Sequence, residues 1–324
     1  MANLSTEINK LKKELKGIIP FILVARPVHW IKNLTIFTPL IFTGTLFIKV
    51  YFEKSFLAFI AFCFATSATY IFNDILDREK DKLHPIKKNR PVASGKISIS
   101  AALLESAVFA GFAAILAENV NHLFFFMVLA YILMQALYSL FLKNMAIVDI
   151  LVIAAGFVFR IYAGAFVINA HLSVWFLLCV ISVALFLASG KRRSELGIIN
   201  EVEGVTRKSL SKYSKTLLDS YVTMFGNAAW MSWALYTFFE SPRATLPLWL
   251  FLAEISKTTT INKLLMITIP LTIFGIMRYE SLIFEDRSES PEKVLLTDKP
   301  LITSVIVWVL LIIWIFYGGI ANIA

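Results

Sequence analysis

Residues 55–81 read SFLAFIAFCFATSATYIF and then NDILDREKD. The first part carries no charge, and an apolar run of about that length matches the ~30 Å hydrocarbon core of a bilayer. The second part switches abruptly to acids and bases, so a membrane boundary falls near Tyr70-Ile71-Phe72. If the helix continues past that boundary, Asn73, Asp77 and Asp81 follow at i, i+4 and i+8 and share one face, with Asp74 beside it. Oxygen-bearing side chains striped at a membrane surface can hold Mg²⁺, which takes carboxylate and water ligands and prefers to bind with substrate phosphates. The stretch is therefore a candidate diphosphate site, with Asn73, Asp77 and Asp81 as metal ligands and Asp74 as a further catalytic group. The competing reading is a solvated helix end in which Arg78 and Lys82 neutralise Asp77 and Asp81. Asn73 and Asp74 weigh against it, because polar groups left unpaired at the boundary cost a few kcal/mol.

The rest of the chain has the same character. Of 324 residues, 58% are apolar and only 16% charged, against the roughly 25% charged of a soluble domain. Candidate spans lie near 33–52, 55–76, 100–117, 122–142, 147–169, 172–190, 215–239, 263–284 and 301–320, which makes an all-α membrane protein of about nine helices. The net charge of +9 is not a nucleic-acid footprint, which needs a basic face on a folded soluble domain; here the charge sits between spans. With residue 1 in the cytosol, the inner segments hold 24 of the 31 Lys and Arg, which sets the N-terminus and large polar loops inside and the C-terminus outside. The first twenty residues lack the apolar core and cleavage site of a signal peptide. Cys63 and Cys179 fall inside apolar runs and read as buried thiols. No linker separates a soluble module, so residues 1–324 read as one domain. A short interfacial helix is expected around Leu246–Leu252. Large inner loops at about 77–98 and 191–214 follow the second and sixth spans, suggesting two four-span halves of the kind common in membrane folds.

Basic residues cluster in those loops. After the acidic stripe comes His84-Pro85-Ile86-Lys87-Lys88-Asn89-Arg90-Pro91-Val92-Ala93-Ser94-Gly95. Two prolines restrict the loop and Gly95 permits a turn, so Lys87 and Arg90 can be presented to phosphates. His84 has no second His or Cys at zinc-like spacing and reads as structural. In the second loop, Ser189-Gly190-Lys191-Arg192-Arg193-Ser194-Glu195-Leu196 carries one acid among three bases. Lys191 and Arg192 suit direct binding of phosphate, and Glu195 could orient Lys191 or meet a ribose hydroxyl. Arg160 lies deep in a span, where it should face either an anion or an internal acid such as Asp149 or Glu105. Lys32 either binds phosphate or snorkels to the interface beside Trp30. Arg278, Tyr279 and Glu280 either close the site or mark the interface.

The run Asn-Asp-x-x-Asp-x-x-x-Asp at 73–81 resembles the first signature of the UbiA superfamily of intramembrane prenyltransferases. That resemblance implies nine transmembrane helices around a central cavity and a Mg²⁺-diphosphate site between two cytoplasmic loops. The second loop departs from it, because the acidic run of the usual prenyltransferases is replaced by Gly-Lys-Arg-Arg at 190–193. In this the chain resembles the decaprenyl-phosphate (polyprenyl-phosphate) 5-phosphoribosyltransferase branch. The likeness is carried by Arg26-Pro27-Val28-His29-Trp30-Ile31-Lys32-Asn33-Leu34, by residues 73–95, and by Gly156 through Gly164 leading to the 190–196 run. It is also carried by Arg278-Tyr279 and by Ser290-Pro291-Glu292-Lys293 through Asp298, where Lys299 stands in place of the branch's Arg.

The branch resemblance implies transfer of 5-phosphoribose from phosphoribosyl pyrophosphate to a polyprenyl phosphate with release of pyrophosphate, supplying lipid-linked sugar for a bacterial cell envelope. Mg²⁺ is the implied cofactor. Lys87, Arg90, Lys191 and Arg192 are the implied phosphate grips. A prenyltransferase acting from prenyl diphosphate on an aromatic or other acceptor is the alternative. A transporter would place its polar groups near mid-membrane instead. A homo-oligomer is compatible with the sequence, which leaves chain length of the lipid and oligomeric state open.

Overall fold

A computed structural model describes residues 17, 19–199, 209–241, 243–244, 251, 254–255, 263–285, 297–318 and 321–322. The stretch expected to form an interfacial helix (246–252, apart from Phe251) and the motif residues 290–296 lie outside the described residues. The helices are α1 (Thr38–Phe42), α2 (Lys49–Leu76), α3 (Arg78–Leu83), α4 (Ile99–Val120), α5 (His122–Leu140), α6 (Val148–Val167), α7 (Val174–Ile199), α8 (Lys215–Phe239), α9 (Ile269–Phe284) and α10 (Lys299–Tyr317). Seven stretches among the described residues are long and apolar enough to cross a membrane: α2, α4, α5, α6, most of α7, Leu264–Phe284 and α10. Only 17% of the apolar window of α4 and 22% of that of α5 is buried inside the protein. Water would not tolerate such apolar faces, whereas lipid is their natural solvent. The protein is an integral membrane protein.

Helix ends follow local chemistry. Ser98, Asn121, Ser214 and Asp298 each accept a hydrogen bond from the backbone N–H three residues on, capping α4, α5, α8 and α10. Asn121 also ends α4, which makes α4 and α5 a tight helical hairpin. α2 is 28 residues long and rises about 42 Å, more than the hydrocarbon core, so Asn73 to Leu76 can stand in the headgroup region.

Two expectations are revised. Residues 33–52 do not form a single span. A 3₁₀ stretch (Pro27–Phe37) leads into the five-residue α1, and the chain turns at Gly44 (φ +72°) before α2 absorbs Lys49 onward. Pro27 and Pro39 withhold backbone donors, and Gly44 takes a conformation that other residues resist. The second polar segment is not a loop at its start, because α7 runs on through Lys191–Leu196 to Ile199. Lys, Arg, Glu and Leu are good helix formers, and nothing after Gly190 breaks the helix.

The chain divides into two compact units: 1–34 with 56–142, and 35–55 with 143–324. In the first, Phe62 packs its ring against Phe124 and Tyr131, joining α2 to α5. Val24, Ile71, Val92, Ile97 and Ala102 form a buried cluster that ties the segment before Pro27 and the 84–98 loop to α2 and α4. Trp30 Nε1 donates to Ser67 Oγ (2.9 Å), which donates to Ala25 O (2.7 Å); Asn33 Nδ2 donates to Thr66 Oγ1 (3.2 Å). These bonds hold residues 25–33 along α2. In the second unit, Phe176, Trp233, Tyr236, Leu265, Ile312 and Phe316 form a buried apolar core. Cys63 and Cys179 are buried thiols in no disulfide, as expected, and Cys63 Sγ accepts from Asn33 Nδ2 (3.4 Å).

Gly164 is where α6 meets the 3₁₀ stretch most closely, since a Cβ there would lie 2.1 Å from Ile36 O. Backbone cannot yield as a side chain can. Gly164→Ala is expected to destabilise the protein by about 1–3 kcal/mol, the usual cost of overpacking, measured as a fall in melting temperature in detergent. An unchanged melting temperature would show that the segment before α2 is free to move.

Candidate functional site

The acidic stripe survives the break between α2 and α3. Asp77 interrupts the helix (φ −90°, ψ 1°), yet its N–H donates to Asn73 O (2.9 Å) and Asp81 N–H to Asp77 O (2.8 Å). The i, i+4 spacing is therefore kept, and Asn73, Asp77 and Asp81 lie along one face. Asp74, Asp77 and Asp81 are 2%, 8% and 5% exposed. Carboxylates so buried require partners.

Those partners come from distant sequence. Arg26 donates to Asp74 Oδ1 and lies over the Tyr70 ring, 5.2 Å from its centroid. Arg90 Nη1 donates to both Asp74 Oδ1 (3.1 Å) and Asp81 Oδ2 (2.6 Å), so one guanidinium bridges two acids. The local bases behave differently. Arg78 Nη1 and Lys82 Nζ both pair with Glu79 Oε1, at 2.9 and 2.8 Å. The reading in which Arg78 and Lys82 neutralise the stripe is not what the structure shows. Holding Arg90 in place is the work of the 84–98 loop: His84 Nδ1 accepts from Ile86 N (3.2 Å) and Lys87 N (3.3 Å), and Gly95 turns the chain at φ +75°. His84 is thus structural. Lys87 is half-buried in the 3₁₀ turn 87–89, and Lys32 is half-buried between Trp30 and Asn33.

Sequence reading gave Arg26 no charge role. A signal was present: Asp74 stands at a membrane boundary, where an acid must be paired, and Arg78, the base four residues on, has Glu79 as its neighbour and pairs with it. The positive φ of Arg26 (53°), just before Pro27, turns the chain at the residue that supplies it.

The basic run belongs to the second unit and faces inward. Arg192 is 0% exposed and Arg193 1%. Arg192 Nε lies 2.7 Å from Asp149 Oδ2, which is itself fully buried, and Arg192 Nη1 donates to Glu195. Arg193 donates to Asp219. The Tyr213 hydroxyl donates to Asp149 Oδ1 (2.7 Å) and accepts the N–H of Ile147, whose φ is +70°. Burial raises the Tyr213 phenol above its ordinary pKa, so it remains a donor. The phosphate grip expected of Arg192 is thus replaced by a cluster that fastens α6, α7 and the turn before α8. Glu195 meets Arg192. A bundle interior cannot leave a guanidinium unpaired, and Asp149 was the available acid. Lys191 alone among the three bases is partly exposed.

Arg160 is 4% exposed; its Nη1 donates to Gly156 O and its guanidinium lies 5.9 Å from the Phe157 ring centroid. Asp149, one of its two expected partners, is instead engaged by Arg192 and Tyr213. Tyr279 is 2% exposed, its ring edge-on to Phe186 at 5.1 Å, and its hydroxyl has no hydrogen-bond partner among the described residues. The motif glycine Gly190 has a packing reason, since a Cβ there would lie 2.5 Å from Ile283 Cδ1 and 3.0 Å from the Tyr279 hydroxyl. Arg278 pairs through two N–H groups with Asp298 (3.1 and 2.7 Å), holding that carboxyl below its usual range, and Glu280 accepts from Thr223 (2.6 Å). Arg278 and Glu280 therefore join helices.

Among the described residues no three His, Cys, Asp or Glu side chains form a metal cluster. Mg²⁺ binds through one or two carboxylates plus substrate phosphates, and the oxygen-only stripe of Asn73, Asp77 and Asp81 is a donor set that fits it.

Removing Asp149 would leave Arg192 buried without its acid on α6. Asp149→Ala is expected to cost about 3–5 kcal/mol in chemical unfolding, and the double variant Asp149→Ala/Arg192→Met to recover a substantial part. A single variant as stable as the parent would contradict the role given to this pair.

The UbiA prenyltransferase family model matches residues 35–200. The chain is similar to the decaprenyl-phosphate phosphoribosyltransferase of Corynebacterium glutamicum, 30% identical over 318 residues that cover 96% of this chain and 91% of that protein. It is similar also to the decaprenyl-phosphate phosphoribosyltransferase of Mycolicibacterium smegmatis, 31% identical, covering 92% of each. In fold it resembles a UbiA homolog from Archaeoglobus fulgidus solved with GPP and Mg²⁺, with a TM-score of 0.66 at 18% identity, covering 93% of this chain and 99% of that one. This chain belongs to the UbiA prenyltransferase family.

Proposed function

We propose that this protein transfers 5-phosphoribose from phosphoribosyl pyrophosphate to a polyprenyl phosphate and releases pyrophosphate. The observation that carries the reading is the stripe Asn73, Asp77 and Asp81, whose two carboxylates are buried, with the guanidinium groups of Arg26 and Arg90 beside it on Asp74 and Asp81. Carboxylates and guanidinium groups together suit a diphosphate that arrives with a cation. The choice of donor is supported by the names of the two relatives, which match the chain nearly end to end, and by a second polar segment that carries bases at 191–193.

In this reading Asn73, Asp77 and Asp81 would hold Mg²⁺, which would supply positive charge for the leaving diphosphate. Asp74 holds Arg26 and Arg90 in position, and these meet the diphosphate oxygens. A phosphate oxygen of the acceptor attacks the anomeric carbon from the opposite face. The new carbon–oxygen bond forms as the bond to diphosphate breaks, and pyrophosphate departs with the electron pair, inverting the centre. The acceptor is already an anion, so no strong general base is needed. Lys191 contacts phosphate, while Lys32 and Lys87 add positive charge near the headgroups. Arg160 acts on an anion only if its bond to Gly156 yields. The water-soluble donor places the N-terminus and the polar segments in the cytosol and the C-terminus outside, with both units acting as one transmembrane domain. The product is a lipid-linked pentose 5-phosphate for envelope synthesis.

Purified protein given Mg²⁺, labelled phosphoribosyl pyrophosphate and a polyprenyl phosphate is expected to yield labelled lipid, and none after chelation of the metal. Asp77→Asn and Asp81→Asn should each lower kcat/KM by about 100-fold or more, in line with loss of a group that stabilises transition-state charge. Transfer only from a prenyl diphosphate would select the prenyltransferase chemistry instead.

A further inference from the structure

Within the first unit, Asp74 and Asp81 are secured unequally. Asp74 Oδ1 accepts from two guanidinium groups, those of Arg26 and of Arg90, the latter at 3.1 Å. Asp81 Oδ2 accepts from the same Arg90 Nη1 at 2.6 Å, and among the described residues Arg90 is the one base in an ion pair with it. Both carboxylates are nearly closed to water, at 2% and 5% exposure. If the Arg90 side chain turns away, Asp74 keeps Arg26, whereas Asp81 is left as a buried charge without its counter-ion. That state is strongly unfavourable. Arg90 can therefore leave Asp81 only as another cation replaces it there.

The backbone at Arg90 is pinned and the side chain is not enclosed. Arg90 N–H donates to Lys87 O (3.0 Å), its carbonyl accepts from Ser94 N (2.8 Å), Pro91 restricts its backbone to an extended form, and Val92 and Ala93 are buried. The side chain is 26% exposed, so its guanidinium meets an anion arriving from water without crossing an apolar interior. A cation cannot take Asp81 Oδ2 while Arg90 donates to it, and on the other oxygen it would share one carboxylate with a like charge. Among the described residues no three acids converge on a cation position, and Arg90 supplies a reason: its Nη1 gathers Asp81 Oδ2 toward Asp74 Oδ1. We propose that Arg90 is the counter-ion that makes cation binding at the stripe conditional on a diphosphate. Arg90 holds Asp81 until diphosphate oxygens accept its guanidinium, and the carboxylate so released becomes a ligand for the cation. Asp74 with Arg26 stays as the fixed part of the site. The inference rests on the reading of the stripe as a cation–diphosphate site. No covalent bond changes; one guanidinium passes from a carboxylate to a phosphate oxygen, and by linkage each ligand raises the affinity for the other by the same factor.

Two affinities are read separately on the purified protein: Mn²⁺ alone, by electron paramagnetic resonance of the free ion, and inorganic pyrophosphate alone, by calorimetry with a chelator present. In Arg90→Gln, Mn²⁺ alone should bind about tenfold tighter or more than in the parent, and pyrophosphate alone about tenfold weaker or more, as expected for loss of a charge-assisted hydrogen bond. The opposite signs are diagnostic. A side chain that only grips phosphate would leave the Mn²⁺ affinity unchanged, and one that only supports the fold would weaken both. Arg26→Gln removes the same charge from Asp74 without touching Asp81, so its Mn²⁺ affinity should rise by no more than about threefold. Arg90→Lys keeps a point charge in the loop and should fall between the parent and Arg90→Gln. Should Arg90→Gln fail to fold, Arg90→Lys decides, a gain in Mn²⁺ affinity supporting the proposal and no gain overturning it. Unchanged or weaker Mn²⁺ binding in Arg90→Gln, or an equal gain in Arg26→Gln, would overturn the proposal and leave the cation–diphosphate reading standing. A parent protein that binds no Mn²⁺ even with pyrophosphate would overturn that reading and this inference with it.

Discussion

A charge at the edge of a bilayer must be paired, and this protein is organised around that requirement. In the first unit, Asp74 stands at the end of the 28-residue α2 and Asp81 on α3 just beyond it, and Arg26 and Arg90 reach them from both sides in sequence. In the second, Asp149 near the start of α6 takes Arg192 from α7 and Tyr213 from the turn before α8. An unpaired partner in either set would cost several kcal/mol, a large share of the stability of a protein of this size. The ion pairs therefore do more than decorate the surface; they decide where loops lie.

The same requirement separates structural charge from charge available for chemistry. Glu79 absorbs Arg78 and Lys82 on α3, and Asp298 absorbs Arg278 while capping α10. Arg192 and Arg193 are withdrawn into the bundle by Asp149, Glu195 and Asp219. What remains at the acidic stripe is an arrangement in which two guanidinium groups, brought by Arg26 and Arg90, are set against the carboxylates of Asp74 and Asp81. That mixture suits a diphosphate, whose negative oxygens can replace carboxylates as partners for arginine while a cation takes the carboxylates.

Periodicity made the stripe legible. Asn73, Asp77 and Asp81 could be placed on one face from spacing alone, and the backbone bonds at Asp77 and Asp81 keep that register through a helix break. Helix capping at Ser98, Asn121 and Ser214 was equally local, so most spans fell close to where hydropathy put them. Partner choice was not legible. Arg26 is 48 residues from Asp74, and Arg192 is 43 residues from Asp149. No spacing rule reaches that far, so bases counted as free for phosphate turned out to be spent on the fold. Hydropathy also joined residues 33–52 into one span because it does not weigh Pro39 or the left-handed turn at Gly44. It closed the sixth span at Gly190 because charge ends a hydropathy run without ending a helix.

The central claim is that the stripe of Asn73, Asp77 and Asp81 receives a divalent cation together with a diphosphate. Electron paramagnetic resonance of Mn²⁺ titrated into the purified protein with and without pyrophosphate tests it directly. A protein-bound Mn²⁺ signal that requires pyrophosphate and is lost in Asp77→Asn is the expected result. The same bound signal at full strength in Asp77→Asn would contradict the account.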